Sequence, residues 1–144
     1  MTHIPAVATV MTPFPYSVGV DASLRQAHEM MVAHQVRHLP VLRGHALVGV
    51  VSDRDIKRAL DPDLGLPPMD ELFVRDVYVP EPISVDDAAP LDEVLEQMAS
   101  EHIGSVLVTK HGRLVGIFTS TDACRVYCAH LRTLFPQGSG EEVA

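Results

Sequence analysis

A shift of 67 residues lays this chain on itself: Gly49 falls on Gly116, Asp55 on Asp122, Pro13 on Pro80 and Leu24 on Leu91. The register runs without a gap over residues 7–58 against 74–125, and where the residues differ an apolar side chain mostly faces another apolar one. Such a duplication predicts two similar units packed pseudo-symmetrically. Any site is then expected twice, or between the copies.

At 144 residues the chain makes one ordinary domain or two small halves sharing a core. An apolar content of 47% with 5% aromatics suits a compact fold of Val, Leu, Ile, Ala and Met, able to offset its ordering entropy. No apolar run is long enough to span a membrane. The first residues lack the basic region and apolar core of a secretion signal, so the expected location is the cytoplasm, with no membrane partner.

The net charge of −8 argues against a nucleic-acid partner, which needs a basic face. It leaves room for a small anion on a local cluster. Arg54, Lys57 and Arg58 lie within five residues, and Arg37–His38 precede a strand pattern. A solvated helix face would carry the same charges.

Each copy reads as β-α-β-β-α. A short apolar stretch ends at Pro13 and Pro15, or at Pro80 and Pro82, where the chain must turn. A helix follows, with Leu24, Ala27, Met30, Met31 and His34 on one face, and Leu91, Val94, Leu95, Met98 and Ala99 in the second copy. His34 is expected to be partly buried and hydrogen-bonded there. Asp21 or Ser23 can cap the first of these helices, and Pro90 suits the start of the second. Two β-rich runs then flank Gly44–His45 or His111–Gly112, and a last helix closes each copy. The expected organisation is repeat 1 at 4–60, a linker at 61–70, repeat 2 at 71–134 and a flexible acidic tail at 135–144.

Cys124 and Cys128, four apart on one helix, are poorly spaced for a disulfide and read as reduced, structural neighbours on a buried face. His130 points away from them, so no metal is expected. The remaining histidines show no metal spacing, no nucleophile context stands out, and no phosphate loop of the nucleotide-hydrolysing kind is present. A catalytic role is not expected.

Chemistry is plausible where each last strand enters its helix. Residues 49–55 and 116–122 both reduce to Gly-apolar-apolar-Ser/Thr-x-x-Asp. One reading is a capping box, in which the hydroxyl accepts from an early helix N–H and the acid favours the dipole. The other uses hydroxyl and helix N–H groups for a phosphate and the acceptor-only carboxylate for sugar hydroxyls, as a nucleotide requires.

With Val10-Met11-Thr12-Pro13 in the first turn, Arg-His-Leu-Pro-Val at 37–41, and the Leu-Val-Gly runs at 47–55 and 114–122, the chain resembles a tandem pair of CBS domains, a Bateman module. The resemblance implies an α/β (α+β) fold of two packed β-α-β-β-α repeats with clefts that bind an adenosine-type nucleotide (AMP, ADP, ATP or S-adenosylmethionine). By that resemblance Asp55 and Asp122 would hold ribose, and Ser52 and Thr119 phosphate or ribose. Arg37, His38 and Arg54 would contribute charge, Pro40 follows in the same run, and Thr12–Pro13 and Val79–Pro80 would meet the base. The second copy carries Gly104-Ser105 in place of Arg37-His38, and Thr121 and Cys124 in place of Arg54 and Lys57. The first cleft is therefore expected to favour more phosphates. No cofactor is required; the nucleotide would be a regulatory ligand.

The resemblance also implies a regulatory module acting on an unidentified protein as a homodimer formed through its helices, with Met30, Met31, Met98 and residues 129–134 as candidate surface. The alternative is a structural dimerisation module whose clefts bind nothing, the motif acids serving only as caps.

Overall fold

The computed structural model describes residues 3–65, 68 and 71–136. It is a mixed α/β fold of two four-stranded sheets and five α-helices. The strands are β1 (Thr12–Pro13), β2 (Val18–Gly19), β3 (His38–Arg43), β4 (Ala46–Ser52), β5 (Val79–Pro80), β6 (Ser84–Asp86), β7 (Ser105–Lys110) and β8 (Arg113–Thr119). The helices are α1 (Leu24–His34), α2 (Asp53–Ala59), α3 (Val74–Val77), α4 (Leu91–Glu101) and α5 (Ser120–Leu134). Among the described residues no helix is long and apolar enough to cross a membrane.

Local chemistry accounts for the repeated elements. Ser23 caps α1 reciprocally with Gln26: the Gln26 N–H donates to Ser23 Oγ at 3.0 Å and the Ser23 N–H to Gln26 Oε1 at 2.8 Å. α1 and α4 both end on a left-handed residue, Gln35 at φ 55° and His102 at φ 56°. The β7–β8 hairpin turns on His111 and Gly112, both at positive φ, as the tight primed turns of twisted hairpins require. Each hairpin also shifts register at the same place, between Val41 and Leu42 and between Val108 and Thr109.

The opening segment of each copy departs from the simple repeat order. It forms one turn of helix (a 3-10 turn at Val7–Thr9, α3 in the second copy) before its short strand, and a further strand, β2 or β6, follows the prolines. Moreover, it pairs with the other copy. The sheets run β2-β3-β4-β5 and β1-β8-β7-β6, so β1 closes the second sheet and β5 the first. Val7 is buried with Leu91, Val94 and Phe118, while Leu72 and Val74 are buried with Leu24, Leu39 and Ile56. Val7 and Val74 are fully buried, each contributing about 2 kcal/mol to the opposite core.

The chain makes this crossing between its paired prolines. Phe14 (φ 45°) and Glu81 (φ 52°), one between Pro13 and Pro15 and the other between Pro80 and Pro82, adopt a left-handed backbone that side-chain-bearing residues seldom take. Their reversal sends the chain from one sheet to the other.

Several side chains sit otherwise than the helical pattern suggests. His34 is exposed and stacks on Tyr16, with ring centroids 3.6 Å apart. Cys124 and Cys128 are free and exposed rather than buried, because the α5 face that carries them lines an open apolar groove beside Leu95 of α4. Met31 and Met98 belong to the two cores and are unavailable as surface; Met30 is half-buried. Most of the acidic tail, residues 137–144, and positions 66, 67, 69 and 70 of the linker lie outside the described residues.

Candidate functional site

Both Gly-apolar-apolar-Ser/Thr-x-x-Asp segments end a central strand and cap a helix. In the first, the Ser52 N–H donates to Asp55 Oδ2 at 2.8 Å and the Asp55 N–H to Ser52 Oγ at 3.1 Å. In the second, the Thr119 N–H donates to Asp122 Oδ2 at 2.9 Å and the Asp122 N–H to Thr119 Oγ1 at 3.3 Å. The capping geometry is therefore present twice, and what distinguishes the sites is what else reaches each carboxylate.

Asp122 is buried, the one charged residue so placed among those described. The Thr119 hydroxyl donates to its Oδ2 at 3.1 Å, and the Thr12 hydroxyl, arriving on β1 from the other copy, donates to Oδ1 at 3.1 Å. Arg125 pairs with Oδ1 at 3.6 Å. Asp55 is half-buried and its Oδ1 accepts no hydrogen bond among the described residues. Val79, the counterpart of Thr12, has no hydroxyl to offer.

The glycine of each motif is explained by the crossing strand. A Cβ on Gly49 would collide with the Val79 carbonyl and the Tyr78 ring, and one on Gly116 with Met11 Sδ. β5 lies beside β4 with Val79 opposite Val50 and Pro80 opposite Gly49; β1 lies beside β8 with Thr12 opposite Ile117 and Pro13 opposite Gly116. Thr12, Pro13, Val79 and Pro80 are all exposed at these edges.

His38 meets the other copy at Gly104. A Cβ there would stand in ordinary contact, 3.6 Å from His38 Nε2 and 3.7 Å from Ser120 Oγ, so the imidazole packs beside residue 104 without requiring a glycine. Burial holds the His38 pKa below its ordinary 6.5; Asp55 and Asp53 oppose this, while Arg37 and Arg54 reinforce it. Each copy ties its helix start to its strand entry by an equivalent backbone bond, Asp53 N–H to the Arg37 carbonyl at 2.8 Å and Ser120 N–H to the Gly104 carbonyl at 3.0 Å. Arg37 and Arg54 are exposed, Pro40 is buried in β3 opposite Val50, and Ser105 lies opposite Thr119.

The structure thus gathers Ser52, Asp55, His38, Arg37 and Arg54 near one strand end, and Thr12, Thr119 and Asp122 at the other. Arg125 is absent from the residues singled out by sequence, although its identity with Arg58 at the repeat offset marks it. Two surface cavities stand out among the described residues, the first of them bordering this site. One of about 280 Å³ is lined by Met31, Val32, Gln35, Val36, Arg37 and Asp53, and an apolar groove of about 610 Å³ runs between α4 and α5.

Comparison with known proteins places these features in a known group. The model of the CBS domain matches residues 7–62 and again 74–128. An L-aspartate semialdehyde sulfurtransferase of Methanocaldococcus jannaschii is 29% identical over 86% of this chain, which spans 23% of that enzyme's length. Among solved structures, CBSX2 in complex with AMP is 28% identical with a TM-score of 0.76, over 89% of this chain and 99% of that one. The CBS domain pair of protein MJ0100 in complex with 5'-methylthioadenosine and S-adenosyl-L-methionine is 25% identical with a TM-score of 0.79, over the same shares of each chain.

Proposed function

Since this chain belongs to the CBS domain family and carries two copies of the domain, we propose that it is a regulatory module that binds an adenosine-type nucleotide between its repeats. The observation that carries this reading is the Asp55 site: a half-buried carboxylate with one oxygen unclaimed among the described residues, beside Ser52 and flanked by Arg37, His38 and Arg54. An acceptor-only group suits the vicinal hydroxyls of a ribose, and the Arg37 and Arg54 guanidiniums suit the phosphate beyond it, whereas burial disfavours a positive charge on His38. Val79 and Pro80 offer backbone and an exposed apolar edge to the base. Relatives of the same fold in complex with AMP and with S-adenosyl-L-methionine support the ligand class.

On this reading the module works without catalysis. A nucleotide held by both copies regulates a partner protein in the cytoplasm only if it binds two arrangements of the copies with different affinity. A homodimer through the α4–α5 face, where Tyr127, Leu131 and Leu134 are exposed, would carry that change outward.

A thermal-shift panel of AMP, ADP, ATP and S-adenosylmethionine on the wild type and on Asp55→Ala tests the reading. Ligand at 100 times its dissociation constant adds about 2.7 kcal/mol of apparent stability. A shift in the wild type that is lost in Asp55→Ala is expected. Folded protein that shifts with none of them would instead make the module a structural one.

A further inference from the structure

We infer that Thr12 decides which cleft takes the nucleotide, by occupying the Asp122 carboxylate from within the chain. This rests on the nucleotide reading above and concerns the choice between its two sites.

A carboxylate offers about four lone-pair positions. At Asp122, Oδ2 takes the Thr119 N–H at 2.9 Å and the Thr119 hydroxyl at 3.1 Å. Oδ1 takes the Thr12 hydroxyl at 3.1 Å, which also lies 3.4 Å from Oδ2, and faces Arg125 at 3.6 Å. At Asp55, by contrast, Oδ2 takes the Ser52 N–H and Oδ1 accepts no hydrogen bond among the described residues.

Thr12 therefore stands where a sugar hydroxyl would stand, and it offers the same donor. A ribose entering the Asp122 cleft exchanges one hydrogen bond for another and leaves the Thr12 hydroxyl to find a new partner. A ribose entering the Asp55 cleft adds a bond to an unclaimed oxygen. The worth of one hydrogen bond to a charged group makes the Asp122 cleft weaker by about tenfold or more. The asymmetry traces to one pair of counterparts at the repeat offset, Thr12 and Val79.

Calorimetric titration of the full chain with AMP, and separately with S-adenosylmethionine, tests this on the wild type, Thr12→Val, Thr12→Ser and Val79→Thr. Thr12 and Val79 are exposed, so the substitutions leave the cores untouched, and circular dichroism checks folding. The wild type is expected to bind one ligand per chain in its tight phase. Thr12→Val should tighten a second event about tenfold. Thr12→Ser should behave as wild type, and Val79→Thr should weaken the first event. Two equal sites in the wild type, or one tight site left unaltered by Thr12→Val, would overturn the role of Thr12 and leave nucleotide binding standing. No heat with either ligand in any variant would overturn both.

Discussion

The carbonyl of Val79 packs against the α-carbon of Gly49, a strand of one repeat lying on a strand of the other with no room for a side chain between them. Gly116 is covered in the same way, but by the flexible end of Met11 rather than by backbone. The obstruction above Gly49 cannot swing aside, whereas that above Gly116 can. Gly49→Ala is expected to cost about 3 kcal/mol and Gly116→Ala about 1 kcal/mol in urea denaturation. Equal losses would mean that β1 and β5 are held with equal rigidity.

His38 gives the fold a pH dependence of definite sign. Its pKa is below 6.5 in the native state because burial disfavours the charged imidazolium. The unfolded chain therefore binds the proton more readily, and stability falls as pH drops below 6.5 until the native imidazole is also protonated. Thermal unfolding of His38→Gln between about pH 7.5 and pH 5 should lose part of the acid slope of the wild type. An unaltered slope would place the responsible group elsewhere.

The two motif acids should differ in their contribution to stability. Removing Asp55 sacrifices one helix cap, worth about 1 kcal/mol. Removing Asp122 also abandons the Thr12 and Thr119 hydroxyls and Arg125, so Asp122→Ala should cost about 2 kcal/mol or more. Denaturation midpoints of the two variants decide the order, and a larger loss from Asp55→Ala would contradict the bonding pattern.

The α4–α5 face carries its own readout. If two copies meet there, the wild type sediments as a dimer and Leu131→Asp as a monomer. Cys124 and Cys128 line the same groove and are exposed in the single chain. A thiol reagent should therefore label them slowly in the dimer and rapidly in Leu131→Asp. Rapid labelling of both proteins would show that the face is open.

Much of this is legible in one dimension because its causes are local. The hairpins at Gly44 and at His111–Gly112, the Ser23–Gln26 cap and the two Ser/Thr-x-x-Asp caps each depend on residues within a few positions of one another. Repetition at the 67-residue offset then marks them as one pattern used twice. Periodicity misleads at α5: it shows that a helix has an apolar face but not whether that face meets its own core or something outside it. Cys124 and Cys128 are expected inside for that reason and stand outside. His34 likewise lies on the predicted face, yet stacks on Tyr16 at the surface.

By itself the sequence determined the duplicated α/β unit, the order of its main elements and the pair of capped aspartates. Tertiary structure alone decided that each copy's opening segment crosses to the other copy's sheet, that His38 meets Gly104, and that Thr12 rather than Val79 brings a hydroxyl to an acid. The reason is physical. Caps and turns are set by neighbours along the chain, whereas a hydrogen bond between residues 110 positions apart exists only once both sheets have packed and brought their edges together.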